Sequence, residues 1–154
     1  MPELLLATGN AAKVREYRSL LSSPAYRLVT PAELGIKLEV AEVGQTMAEN
    51  ATLKATAWAA RSRRLTLADD SGLEVDALDG APGVLSARYA GEQATDKDRL
   101  DYLLAQLKDV PWAKRTARFR CVIAIAPPGG PVELCSGECP GYITFTPRGD
   151  RGFG

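Results

Sequence analysis

The chain has 154 residues, 45% hydrophobic and 25% charged, with 19 Lys+Arg against 19 Asp+Glu and no histidine. That length suits a single domain with its own core, and the charge balance lacks the one-sided basic footprint of a protein that coats nucleic-acid backbone. Three cysteines without a histidine do not fit the common Cys/His zinc spacings, and no apolar run approaches the ~20 residues of a membrane span.

Leu4–Ala7 is a short apolar run that ends at Thr8-Gly9-Asn10, the pattern of a buried strand meeting a turn. Asn10 is a good N-cap, and Val14, Tyr17 and Leu21 recur at helical spacing, so a helix is expected to about Leu21. Turn signals at Ser22–Pro24 precede strand patterns over Arg27–Thr30 and Ile36–Val40. Thr46-Met47-Ala48-Glu49 has the capping-box form, with Thr46 as N-cap and Glu49 reaching back, and the Ala-rich stretch to about Arg63 predicts a second helix. Leu65–Ala68 reads as a strand ending in the turn Asp69-Asp70-Ser71-Gly72, and Leu73–Leu78 as another. Thr95–Asp98 caps a third helix, with Leu100, Leu103, Leu104 and Leu107 on one face. Arg118–Ala126 has the pattern of a central strand, and Val132–Cys135 and Tyr142–Phe145 suggest two more. Strands interleaved with helices make the class α/β with a mixed sheet. Cys135 and Cys139 lie roughly 13 Å apart at about 3.3 Å per strand residue, too far for a disulfide. All three cysteines, Cys121 included, read as reduced thiols. With a Met1-Pro2-Glu3 start that carries no signal pattern, the cytoplasm is the expected compartment.

Four features point to phosphate and metal. Thr8-Gly9-Asn10-Ala11-Ala12-Lys13 is a strand-to-helix turn whose unpaired backbone N–H groups favour an anion, with Lys13 one turn in. Taken alone, an N-capped helix with a solvated lysine is the commoner explanation, because the second glycine and the Lys-Ser/Thr of a Walker loop are missing. Asp69-Asp70-Ser71-Gly72 closes a strand at the end where open α/β sheets hold ligands. Neighbouring strand residues point to opposite faces, so one carboxylate can face a site while the other turns away, unless the turn re-aims both. A carboxylate there can hold Mg²⁺ or accept a proton from water; an Asp-rich turn is the plain alternative. Glu42 stands in a short polar loop before the second helix, and a hard cation beside a triphosphate needs only one or two such carboxylates. Glu49 reads as a capping partner rather than a ligand. Lys54, on the same helical face as Asn50, could neutralise charge on a departing pyrophosphate, although most helix lysines are simply solvated.

The set resembles a known family. Thr8-Gly9-Asn10-x-x-Lys13, the segment from Glu42 through Gly44, Thr46, Glu49, Asn50 and Ala51 to Lys54-Ala55, and Ala68-Asp69-Asp70-Ser71-Gly72-Leu73 resemble, in order, motifs of the inosine/xanthosine triphosphate pyrophosphatases. Gly80–Gly83, Ser86–Tyr89 with Gly91-Glu92, Ala94–Asp96 and the final Gly152-Phe153-Gly154 continue the likeness over essentially the whole chain. The resemblance implies an elongated α/β fold with two lobes, a central substrate cleft and usually a homodimer. It also implies hydrolysis of ITP, dITP and XTP to monophosphate and pyrophosphate with Mg²⁺, without a nucleic-acid or membrane partner. By motif position Thr8, Gly9, Asn10, Ala11, Ala12 and Lys13 hold phosphates, Lys54 adds charge, Ser71 contacts substrate, and Phe153 and Gly154 meet the base. Glu42 and Asp70 serve Mg²⁺, and Asp70 is the catalytic proton acceptor.

Met47 and Val43 depart from the family's usual phenylalanine and threonine as packing changes. The family continues past the position of Gly154 with a lysine, a serine-histidine-arginine motif and a closing helix, so residues 1–154 are expected to be a single pyrophosphatase domain lacking its C-terminal segment. Two other readings compete. A septum-formation-type pyrophosphatase would carry a serine-proline-arginine loop where Thr8-Gly9-Asn10 stands, and a nucleotide-binding module would bind without turnover.

Overall fold

In the computed structural model, which describes residues 1–22 and 25–150, the first apolar run becomes strand β1 (Glu3–Leu6). Leu5 and Leu6 are almost fully buried because β1 has a parallel neighbour on each side: β2 (Arg27–Val29), with Leu5 opposite Val29, and β3 (Leu65–Val75), with Leu5 opposite Thr66. Strands covered in this way read as continuous apolar runs.

Between β1 and β2 lies α1 (Ala11–Leu20), capped by Asn10, whose Oδ1 accepts from the amides of Ala12 and Lys13. Between β2 and β3 lies α2 (Met47–Ser62). Its buried residues Met47, Asn50, Ala51, Ala55, Trp58, Ala59 and Ser62 recur at three- and four-residue steps, the stripe of a helix with one face against a core. The order β2-β1-β3 means that the chain steps one way from β1 and then back past it. Right-handed crossovers therefore put α1 and α2 on opposite faces of the sheet, and the reversal occurs between β1 and β3.

The sheet is completed by β4 (Thr116–Ala126) and β5 (Glu133–Tyr142), in the order β2-β1-β3-β4-β5. The short segment 127–132 between them allows a hairpin but no parallel crossover, so the sheet is mixed. A third helix, α3 (Asp96–Gln106), follows the Thr95 cap, with a complete capping box closed by the Asp98 side chain.

Several sequence expectations are corrected. The Asp69–Gly72 segment is not a turn between two strands: β3 runs unbroken from Leu65 to Val75 and is hydrogen-bonded to both β1 and β4. Likewise the two strands expected over Val132–Cys135 and Tyr142–Phe145 are replaced by one, β5, that starts at Glu133, passes through Gly137 and Pro140 and ends at Tyr142. Ile36–Val40 forms no strand; the Ile36 amide donates to the Pro31 carbonyl at 3.0 Å, in a turn with Gly35 at φ +63°. Glu49 reaches the amide of Gln45 rather than that of the cap Thr46, so the capping box of α2 is displaced by one residue. The turn expected at Ser22–Pro24 includes Ser23 and Pro24, which lie outside the described residues.

The chain divides into two compact units, Met1–Asp70 with Val122–Ser136, and Ser71–Cys121 with Gly137–Gly154. In the first, Leu4, Leu6, Tyr17 and Leu67 form a buried cluster with Val14, Leu28, Ile123 and Ile125 against it. In the second, Val75, Leu103, Leu107 and Ala117 play that part, joined by Leu73, Tyr89 and Ile143. The three cysteines are reduced thiols, and no helix among the described residues is long and apolar enough to cross a membrane.

The second unit also buries Arg115, 1% exposed, with no carboxylate in ion-pair range among the described residues. Its guanidinium donates to the carbonyls of Leu107, Val110, Ile143 and Thr144 at 2.6 to 3.2 Å and lies over the Phe145 ring. It thereby closes the carboxyl end of α3, where helix carbonyls lack intrahelical donors. We predict that Arg115→Met, which leaves those buried acceptors unpaired, costs about 3 kcal/mol. Urea unfolding of the two proteins measures it.

Candidate active site

The parallel pairing of β1 with β3 stops at Leu6 and Leu67, and the Ala7 amide donates to the Leu67 carbonyl. β3 continues, so Asp69 and Asp70 stand just beyond the carboxyl end of β1, at the point where the strand order reverses. Open α/β sheets form ligand crevices there, because the flanking connections run to opposite faces. The turn Thr8–Lys13 leaves from the end of β1 itself.

Both aspartates are buried, Asp69 to 4% and Asp70 to 8% exposure. Strand alternation sends their side chains to opposite faces, and their partners agree. Asp69 receives Lys13 of α1, Nζ to Oδ2 at 2.8 Å. Asp70 receives Asn50 of α2, Nδ2 to Oδ2 at 3.1 Å. Lys54, one helical turn after Asn50, donates to the Asp69 backbone carbonyl and pairs with Glu42 at 2.6 Å. Lys13, Lys54, Glu42, Asp69 and Asp70 thus belong to one constellation inside the first unit.

Its electrostatics single out one residue. Lysines pair with Asp69 and Glu42, whereas Asp70 has only the neutral amide of Asn50 in contact and no cation within ion-pair range among the described residues. Burial pushes the Asp70 carboxyl above its ordinary value and the charge of Glu42 adds to that, while the Asn50 hydrogen bond and the charges of Lys54 and Lys13 act against it. The cluster holds three carboxylates, of Glu42, Asp69 and Asp70, against the two ammoniums of Lys13 and Lys54.

The Thr8–Lys13 turn is more self-satisfied than its sequence suggested. Asn10 Oδ1 takes the amides of Ala12 and Lys13, and Thr8 Oγ1 takes that of Asn10 at 3.1 Å. The amides that remain for an anion are those of Gly9 and Ala11, which have no partner among the described residues. Ser71 follows Asp70 in β3 and is half-buried; Phe153 and Gly154 lie outside the described residues. Sequence reasoning missed the Lys13–Asp69 pair and the role of Asn50. A buried asparagine early in an Ala-rich helix, where its propensity is poor, was the one available signal.

The Ham1 family profile matches residues 4–154. The dITP/XTP pyrophosphatases of Halalkalibacterium halodurans and Desulforamulus reducens are 46% and 51% identical to the chain, over 100% and 99% of its length and 79% and 76% of theirs. Among solved structures, a HAM1 protein from Coxiella burnetii superposes with a TM-score of 0.90 at 38% identity, covering 100% of this chain and 79% of that one. The Staphylococcus aureus Ham1 protein gives 0.86 at 38% identity, covering 99% and 77%. The chain belongs to the Ham1 family.

Burial of Asp70 has a consequence for stability. Its folded-state pKa lies above the ordinary value of 3.8, so its contribution is full below that pH and is lost as pH rises through the raised value. An amide at this position would not titrate. In the absence of divalent cations, Asp70→Asn should therefore melt higher than the parent at neutral pH, with the advantage vanishing toward pH 3 to 4, about the ordinary aspartate pKa. Thermal melts of both proteins across that range check the sign.

Proposed function

We propose that the protein hydrolyses the non-standard purine nucleoside triphosphates ITP, dITP and XTP to nucleoside monophosphate and pyrophosphate, removing deaminated purines from the nucleotide pool. It is a hydrolase acting on acid anhydrides, a nucleoside triphosphate diphosphatase. The observation that carries this reading is the gathering of Lys13, Lys54, Glu42, Asp69 and Asp70 where the strand order reverses, the combination a polyanionic substrate and its cation require. The names of the Ham1 relatives, dITP/XTP pyrophosphatases, support the substrate class.

The donors suit Mg²⁺. It is a hard ion that prefers oxygen ligands, keeps several waters and needs only one or two carboxylates beside substrate phosphates. Asp70, with no cation of its own among the described residues, and Glu42 would hold it. When bound, Mg²⁺ supplies charge neutralisation on the phosphates and on the leaving pyrophosphate.

The remaining chemistry falls to the chain. Gly9 and Ala11 amides, with the Thr8, Asn10 and Ala12 backbone around them, face phosphate oxygens at the start of α1. Lys13 and Lys54 add ammonium charge along the triphosphate. Asp70 accepts a proton from the water that attacks the α-phosphorus. Holding water, phosphorus and leaving group in line supplies much of the rate, and no covalent intermediate is needed. Ser71 contacts substrate beside Asp70, and Phe153 and Gly154 meet the purine. The working form in this reading is a cytoplasmic homodimer that engages neither nucleic acid nor membrane.

Incubation with ITP, dITP, XTP, ATP, GTP and CTP in Mg²⁺, scored for monophosphate and pyrophosphate, tests the proposal. The first three should be turned over with pyrophosphate release, and Asp70→Asn should lower kcat by at least about 100-fold, the scale of a lost general base. Equal rates on ATP and ITP would remove the house-cleaning role, and absence of pyrophosphate would leave a binding module.

A further inference from the structure

We infer that Asn50 is the positioning residue of this site: it locks the Asp70 carboxylate to the loop that carries Glu42, fixing the separation between the two carboxylates. The inference rests on the functional reading above and adds a residue to it.

Asn50 is 1% exposed, and both ends of its amide are engaged. Nδ2 donates to Asp70 Oδ2 at 3.1 Å, and Oδ1 accepts from the Gly44 amide at 2.8 Å. These partners admit only one amide orientation, since a flip would set N–H against N–H and oxygen against carboxylate. One side chain therefore bridges strand β3 and the loop before α2.

The loop is built to be held this way. A Cβ at Gly44 would lie 2.7 Å from Asn50 Oδ1 and 2.7 Å from Glu49 Cβ, so only glycine lets the backbone come close enough to donate. Gln45 is bound next by Glu49 Oε2 at 2.6 Å, and Thr46 caps the helix. Glu42, two residues before Gly44, thus leaves from backbone anchored to α2, and Lys54 of the same helix holds its carboxylate.

The residue type follows from these demands. Leucine would strand a buried donor and a buried acceptor; aspartate would set a second carboxylate against Asp70. Glutamine is a methylene too long for a packed site. A group that orients a ligand without touching the ion typically contributes about 10–100-fold to metal affinity or activity.

The test uses Mn²⁺ as a spectroscopic substitute for Mg²⁺, with free Mn²⁺ followed by electron paramagnetic resonance in the absence of nucleotide. Asn50→Ala should weaken Mn²⁺ binding by about 10-fold or more and lower kcat to a similar degree, with KM for ITP changed by less than about threefold. Gly44→Ala retains every hydrogen-bonding group but forces the loop away from Asn50. It should shift both readouts in the same direction, and it carries the test if Asn50→Ala does not fold. Mn²⁺ affinity and kcat within twofold of the parent, in a variant that melts cooperatively, would overturn the inference. Asp70→Asn, run alongside, separates the two failures: if it keeps pyrophosphate release, the functional reading falls; if it loses release while Asn50→Ala and Gly44→Ala behave as the parent, only the role of Asn50 falls.

Discussion

Two adjacent carboxylates buried inside a strand are the constraint to which the first unit is fitted. An ionised carboxylate removed from water must find compensation or become neutral. Because Asp69 and Asp70 are successive residues of β3, they cannot share one partner and are met from opposite faces. Lys13 comes from α1 to Asp69, while α2 offers Asp70 an amide instead of a cation. The chemistry follows from this asymmetry. Asp69 is met by an ammonium, whereas Asp70 is met by a neutral amide and has no cation in ion-pair range among the described residues.

The fold puts this pair where it can be used. β1 ends before β3 does, and the chain turns to α1 on one face while α2 occupies the other. The Asp69 carbonyl, past the last β1 partner, accepts from Lys54, which also reaches Glu42. One overhanging strand segment thereby organises residues from two helices and a loop. The second unit has its own core and its own buried ion, Arg115, which carbonyls at the end of α3 and after β5 satisfy.

Much of this was legible from local rules. Asn10, Thr46 and Thr95 announce their helices because a cap is a short-range interaction between a side chain and amides two or three residues on. The buried character of β1 was visible in Leu4–Ala7. What failed was non-local. Asp69-Asp70-Ser71-Gly72 has the composition of a turn, yet ladder partners keep it extended, and Gly137 and Pro140 likewise do not break β5. Ile36–Val40 shows the reverse: its burial alternates as a strand's would, but no strand lies beside it among the described residues. At the site, Lys13, Glu42, Lys54 and Asp70 stood out by residue type and place in the chain, and the structure brings them together. Asn50, although it stands in the same motif, and the Lys13–Asp69 pair were not assigned a role, since contacts in three dimensions give them one.

The most direct measurement is the anomalous-scattering map of a crystal containing Mn²⁺ and a non-hydrolysable analogue of ITP. The account predicts a Mn²⁺ peak ligated by Asp70 and Glu42 oxygens and by phosphate oxygens, with Lys13 and Lys54 against the same triphosphate. A triphosphate and metal bound elsewhere in the protein, with Asp70 touching neither, would contradict it.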